Sequence, residues 1–578
     1  MAQPVSQPPV VNRDASFVPP PAVVAAPAPA PVVPVSKPEL PKPVEAAPIA
    51  DIGPESFGLY SVNEGGLGAA MWKDTSRETI DRLMPYLNLP TMSAALNDLA
   101  RRFLLTVANI PGARAEKAFS LPTIARITNL VALGNAVEAW KLVNLAKAGQ
   151  IDEPTLRLAA GNALLTDQAV DVCEKVPAWI KTYADPEWQK ILLVCQLTAK
   201  DTKAASLTLD VLKNQGAKDD VFFYVAEQLI AGTIKQLPRQ LTPLKPLNLA
   251  LISLTNLPLP TELYGRADGV LAVALLKTKA KDDSARLNLA ERMAERGLIR
   301  SIDLTTAYAA TSFDANVLAS AANSAESGTK LRALIYQAAA AEKTPVKHLD
   351  LAIKFFQSLS PVAMNGAAVQ VAADILSPVV PAAENGAQAG TAARIAMMAN
   401  RPDMAMSWLK LMNSAAITDG NIGTEHVSLF PLMVFSGLES DSDYAKDFSA
   451  WLDLTLKAPP RSDADTVGQL RQTANIVLLL DADGFTVPGD VWSKLLTQPQ
   501  FEKRAESPVL FLERLAAAGK SVRRGESVLL SLLLSNGDMS LSTRLVVIRT
   551  LRLCGLTTEA ALVARETVVN SPPLSGKP

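Results

Sequence analysis

The chain has 578 residues, 48% of them hydrophobic but only 5% aromatic, and 56 Lys plus Arg set against 57 Asp plus Glu leave a formal net charge of -1. Ala and Leu therefore carry the apolar content, which favours close-packed helices over a β-sandwich, and a balanced charge with no basic run argues against nucleic acid as the main partner. Three cysteines and two histidines (His348 and His426) are too few for a disulfide-built scaffold, a cysteine zinc cluster or a three-histidine metal site.

Residues 1–50 stand apart. They hold 14 of the 41 prolines, as in VPPPAVVAAPAPAPVVPV. Proline lacks the amide proton and restrains its predecessor, so neither helix nor sheet propagates there. A semi-stiff disordered tail with polyproline II segments is expected, acting as a spacer or, alternatively, as a ligand that docks on a partner. Met1-Ala2-Gln3-Pro4 opens without a signal peptide but resembles the mature start of an exported bacterial protein whose signal has been removed. A periplasmic or otherwise exported location is the expectation, a cytoplasmic one the alternative.

Residues 51–73 mix Phe57, Leu59, Tyr60, Met71 and Trp72 with five glycines, a composition for an ordered cap that seals the first helix of an array. Residues 74–235 form the regular part. Thr75-Ser76-Arg77-Glu78 offers a helix N-cap, and Leu96, Leu99, Ala100, Phe103 and Leu104 make a helical stripe. From Ser120 to Gly216 three blocks each read helix, turn, helix, with turns at Gly134-Asn135, Thr166-Asp167 and Lys200-Asp201. The second helices align as Ala136, Ala139, Trp140 and Val143; Ala169, Val172, Cys173 and Val176; Ala205, Thr208, Leu209 and Leu212. The first helices align as Ile127 and Val131, Ala160 and Leu164, Leu193 and Leu197. Stripes at i, i+3, i+4, i+7 recurring every 33 to 36 residues are the mark of stacked helix pairs.

Residues 236–262 carry five prolines among leucines and break the period while packing on the array. Residues 263–569 continue as a degenerate repeat region, with a helix ending at Gly297 and an exposed loop expected over 381–390. Residues 570–578 read as a frayed tail. No period-two alternation is sustained, so strands should be almost absent. The fold expected is all-α: an irregular α-solenoid of helix pairs behind a disordered Pro/Ala-rich N-terminal tail. No apolar run reaches the ~20 residues of a membrane-spanning helix.

Chemistry is sparse. HExxH, GxSxG and phosphate-loop spacings are absent. Asp481-Ala-Asp483-Gly484 echoes a calcium loop, but its glycine comes early and Trp492 stands where the closing glutamate belongs, so a helix-to-helix turn is expected. Cys173 and Cys195 are expected as buried free thiols, a disulfide or ligand role being the alternative. Trp140, Trp179 and Trp188 are expected in the core rather than on a ligand. Arg101-Arg102 and Arg523-Arg524 read as ordinary surface pairs. Glu55-Ser56, followed by Gly66-Leu67-Gly68-Ala69-Ala70-Met71, echoes the ES and GLM elements of lysozyme-like transglycosylase domains, which makes Glu55 the single catalytic candidate. Its position behind a disordered tail, with no helix before it to hold a general acid, weighs against that role.

Helix pairs of this length, loosely continued over residues 74–569, resemble tetratricopeptide-like repeat proteins and the superhelical, non-catalytic region of soluble lytic transglycosylases. The resemblance implies a right-handed superhelix or ring that binds peptide, glycan strand or protein, and it transfers no individual residue. The function expected is a non-enzymatic scaffold, without cofactor or metal, for a protein or peptide partner, with peptidoglycan as a further candidate, and with a cell-wall glycan enzyme or its regulatory subunit, or a structural part of an envelope machine, as alternatives. The stripes explain packing and leave the binding residues unassigned.

Overall fold

Five acceptor side chains start the regular helices. Ser120, Asp152, Asp185, Asp201 and Asp219 each accept a first-turn amide, from Thr123, Thr155, Glu187, Ala204 and Phe222, which satisfies donors that the helix itself leaves open. The helices they begin are Leu121–Ala132, Glu153–Ala163, Pro186–Thr198, Thr202–Asn214 and Asp220–Ala231, and Ala136–Leu145 and Ala169–Thr182 complete the blocks. The turns fall where the sequence places them, with Gly134 and Lys200 in left-handed backbone at φ 87 and 61. In this computed structural model residues 55–112, 119–147, 149–457, 463–488, 491, 495, 509–537 and 539–570 are described. The expected disordered tail at 1–50, the end of the frayed tail and Trp492 lie outside them.

The aligned stripes are the core of the array. Ala136, Ala139, Trp140, Val143, Val172, Val176, Ala205, Thr208, Leu209 and Leu212 are buried, as are Ile127, Ala160, Leu193 and Leu197. Val131, Leu164, Ala169 and Cys173 are half-buried at the edges of the same stripes. The expected free thiols need correcting. Cys173 and Cys195 form a disulfide with their Cα atoms 5.5 Å apart, and Cys554 alone is a buried free thiol. The physical reason is that the second helix of one block and the first helix of the next fold back on each other across the short 183–185 turn, bringing the two stripes face to face.

The Pro/Leu segment lies on the array, as its composition requires. Its helix Pro246–Ser253 is covered on nearly every side and packs against Glu153–Ala163, Pro186–Thr198 and Asp220–Ala231. Farther on, Asp283–Glu295 ends with Gly297 at φ 65, the expected C-terminal glycine. The 381–390 stretch is not an exposed loop. Ala383–Gln388 is a 3-10 helix whose Asn385 and Gly386 are buried, because it packs against the helix Pro402–Ala416. Among the described residues there are 28 α-helices and no strand, only the isolated bridges Tyr60 with Thr106 and Leu259 with Ala280. No helix among them is long and apolar enough to cross a membrane.

The described residues belong to one compact body, and its two ends meet. The cap around Trp72 does not seal a free end. Ala94–Leu105, whose Leu96, Leu99, Ala100, Phe103 and Leu104 are buried as the stripe requires, packs on both Arg524–Leu534 and Thr557–Val569. Glu566 of the last helix accepts from the Ser93 hydroxyl at 2.5 Å and from the Ala95 amide at 2.7 Å. In return the Met71 carbonyl accepts from the Gly525 amide at 2.7 Å. One arginine of each pair read as a surface pair belongs to this joint. Arg102 bonds Glu559 at 2.6 Å, and Arg524 donates to the carbonyls of Leu67 and Cys554. Arg126, fully enclosed, donates to the carbonyls of Phe57, Leu104 and Thr106 and ties the cap to the array; burial without a carboxylate partner lowers its guanidinium to about 10. A one-dimensional stack, in which repeats touch only their neighbours, makes no such contacts between its first and last helices.

Candidate functional site

The catalytic candidate is occupied structurally. Glu55 is buried, and both its oxygens are held by Arg77, at 2.6 and 3.1 Å, while Arg77 also pairs with Asp81. A general acid needs a free proton position facing a substrate; this carboxylate instead clamps the cap to the helix Arg77–Leu83. Asp481 and Asp483, at the end of the helix Asp463–Ala482, are likewise bonded by Arg549 and Arg552. Trp140 and Trp188 are fully buried and Trp179 half-buried between them, with ring centroids 5.8 and 5.1 Å apart. His348 and His426 sit on separate helices. The His348 ring meets the Glu342 carbonyl, and burial lowers His426.

What the fold does bring together is a groove of about 300 Å³ on the first-helix side of the array. Pro154, Arg157, Leu158, Gly161 and Asn162 come from one face of Glu153–Ala163 at i, i+3, i+4, i+7, i+8 spacing, and Glu187 and Ile191 from one face of Pro186–Thr198. Asp219, which caps the next helix, and Lys245 to Asn248, which open the helix Pro246–Ser253, close the end. The wall carries two charge networks. Lys190, almost wholly buried, reaches Glu187 at 2.5 Å and Asp219 at 3.5 Å and lies over the Phe222 ring. Lys245 donates to Asp219 at 2.8 Å and Asn248 donates to it at 3.2 Å. Arg157 pairs with Glu153 and Asp185, and Trp188 donates to the same Glu153.

Electrostatics follows from these contacts. Burial pushes the Asp219 carboxyl up, but hydrogen bonds from Lys245, the Phe222 amide and Asn248 outweigh it and hold the group below its ordinary range. The same hydrogen bond raises Lys245. Both therefore stay charged at neutral pH. The groove thus presents fixed ions of both signs above an apolar floor of Leu158, Ile191 and Leu247. Sequence reasoning passes over these residues because all lie off the packing stripes. The one visible signal is Glu153 and Arg157, an acid–base pair at i, i+4 on a helix whose other face is Ala159, Ala160 and Ala163.

Comparison with known proteins adds no name: no family model, no curated protein and no solved structure matches this chain.

Proposed function

We propose that this protein is a non-enzymatic helical-repeat scaffold, working in an oxidising compartment of the cell envelope, that holds a partner on the first-helix side of its regular array. The observation that carries the reading is the groove at Arg157, Glu187, Asp219 and Lys245, whose charged groups are each held by an ion-pair partner, Asp185 and Lys190 for the first two and each other for the last two, rather than aimed at a reacting atom. Such pinning suits recognition, because the side chains have already lost their freedom before a ligand arrives. The Cys173–Cys195 disulfide supports the compartment, since such bonds persist where thiols are not kept reduced. The closed, cross-capped architecture supports a frame that presents a fixed surface. The likeness to tetratricopeptide-type arrays, including their right-handed winding, belongs to this proposal.

Cross-linking mass spectrometry in the native cell tests it. A partner cross-linked repeatedly to residues 154–191 and 245–248 is expected, and links confined to other faces would refute the groove as the docking surface. Turnover of purified sacculi by the intact chain, abolished by Glu55→Gln, would overturn the non-enzymatic reading.

A further inference from the structure

The groove's open valences define a ligand more narrowly than its size does. Arg157 uses Nη1 for Glu153 and Asp185, which leaves Nε and Nη2 as donors. Lys245 uses one hydrogen on Asp219 and has a half-exposed side chain, so two further donors face outward. Glu187 gives Oε1 to Lys190 and keeps Oε2. Asn162 donates Nδ2 to the Leu158 carbonyl and keeps Oδ1, and Asn248 donates Nδ2 to Asp219. Between these groups Leu158 leaves apolar surface exposed.

Two cations and two anions line the groove. A ligand of one sign meets as much repulsion as attraction there, whereas one that carries both signs at its ends is matched twice. A cavity of about 300 Å³ lies at the small end of ligand sites, roughly 300–1,000 Å³, too small for a folded surface and well sized for a few residues of chain. We propose that the groove binds a short zwitterionic peptide, of dipeptide or tripeptide size, with an aliphatic side chain. Its carboxylate meets Lys245 and Arg157, its ammonium meets Glu187, its amide meets the Asn162 oxygen, and its side chain rests on Leu158 and Leu247. The assignment rests on the reading of the chain as a binding scaffold and names the ligand of one site on it.

Calorimetry on the full chain decides it, with Ala-Leu and Ala-Leu-Ala as free-ended probes, N-acetyl-Ala-Leu-amide as the end-blocked probe and chitotetraose as the glycan probe. The free peptides bind, and blocking the ends weakens binding about tenfold, as expected for loss of charge-assisted hydrogen bonds. Lys245→Ala and Glu187→Gln each weaken the free peptides by a similar factor and leave the blocked probe unchanged. Leu158→Trp fills the floor and abolishes binding, while Val170→Trp on the exposed side of Ala169–Thr182 does not. Equal affinity for free and blocked peptides, indifference to Lys245→Ala, binding of chitotetraose alone, or no heat from any probe would each overturn the assignment. Lys245 is half-exposed, so its variant stays informative even where Leu158→Trp disturbs folding. A partner still cross-linked to this face after such a failure would leave the scaffold standing and remove only the ligand.

Discussion

The array from Ser120 to Gly216 and the joint between the chain's two ends are both all-helical, yet they are held by different means. In the array, each helix buries an alanine- and leucine-rich stripe against its neighbours in sequence, and the cross-links are local, down to a disulfide spanning 22 residues. In the joint, partners 454 to 473 residues apart meet through helix termini and main-chain carbonyls. Each end supplies what the other lacks. Glu566 takes the Ala95 amide at the start of Ala94–Leu105, and Met71 takes the Gly525 amide at the start of Arg524–Leu534. Carboxylates are favoured at helix N-termini, where several amides have no partner within the helix. Repetition builds the array, and reciprocal capping closes the body.

The sharpest way to break this contrast is Gly525→Val. A Cβ there sits 2.7 Å from Trp72 Cε3 and 2.8 Å from the Met71 carbonyl oxygen, and backbone cannot yield as a side chain does. Overpacking together with the lost cap should cost about 4 kcal/mol. Denaturant unfolding measures the loss, and hydrogen exchange should place it in residues 55–105 and 524–569, with 120–216 still protected. Parallel loss of protection in the array would mean that the two regions unfold as one. The complementary cut is Cys173→Ala with Cys195→Ala. A cross-link over this separation stabilises by about 3 kcal/mol in the loop-entropy account, and exchange should then rise around 169–198 and not at the joint. Non-reducing peptide mapping of the protein from its native cell that finds free thiols at both positions would remove the staple from the comparison altogether.

The same contrast explains what the sequence discloses. Stripes at Ala136–Val143 and Ala205–Leu212 are legible because burial of one helical face leaves a period, and the turns at Gly134 and Lys200 are legible because backbone reversal demands particular residues. The joint leaves no period. Arg102 and Arg524 look like surface charges until the far end of the chain supplies Glu559 and the Leu67 carbonyl. Cys173 and Cys195 lie on correctly placed apolar faces, but their pairing depends on how one helix folds back on the next, which a stripe does not state. The groove is hidden for a similar reason. Arg157, Glu187 and Lys245 come from three helices, and only the return of Pro246–Ser253 onto the array encloses them.

Acidity separates the two regions by sign, with the smallest effect. In the array Asp171 is lowered, chiefly by the hydrogen bond from Lys175, and Asp219 is lowered despite burial by Lys245, the Phe222 amide and Asn248. Carboxyls depressed in the folded state lend stability above the ordinary value of 3.8, and that stability fades as pH falls below it. At the joint burial raises Glu566 in spite of the bonds from Ser93 and Ala95. A raised carboxyl lends its stability below the ordinary value of 4.5 and loses it as pH climbs through the shifted one. The Glu566–Ser93 contact survives protonation, because a protonated carboxyl can donate to the hydroxyl that otherwise donates to it. Hydrogen exchange, corrected for intrinsic rates and compared at pH 3.5 and 7, should therefore show protection falling in 153–231 and rising in 93–105 and 557–569 on acidification. Glu566→Gln, which keeps an acceptor for the Ala95 amide, turns an amide N–H toward the Ser93 oxygen and does not titrate, should flatten the response of the joint and leave that of the array. A shift of both regions in one direction would mean that these carboxyls do not govern either.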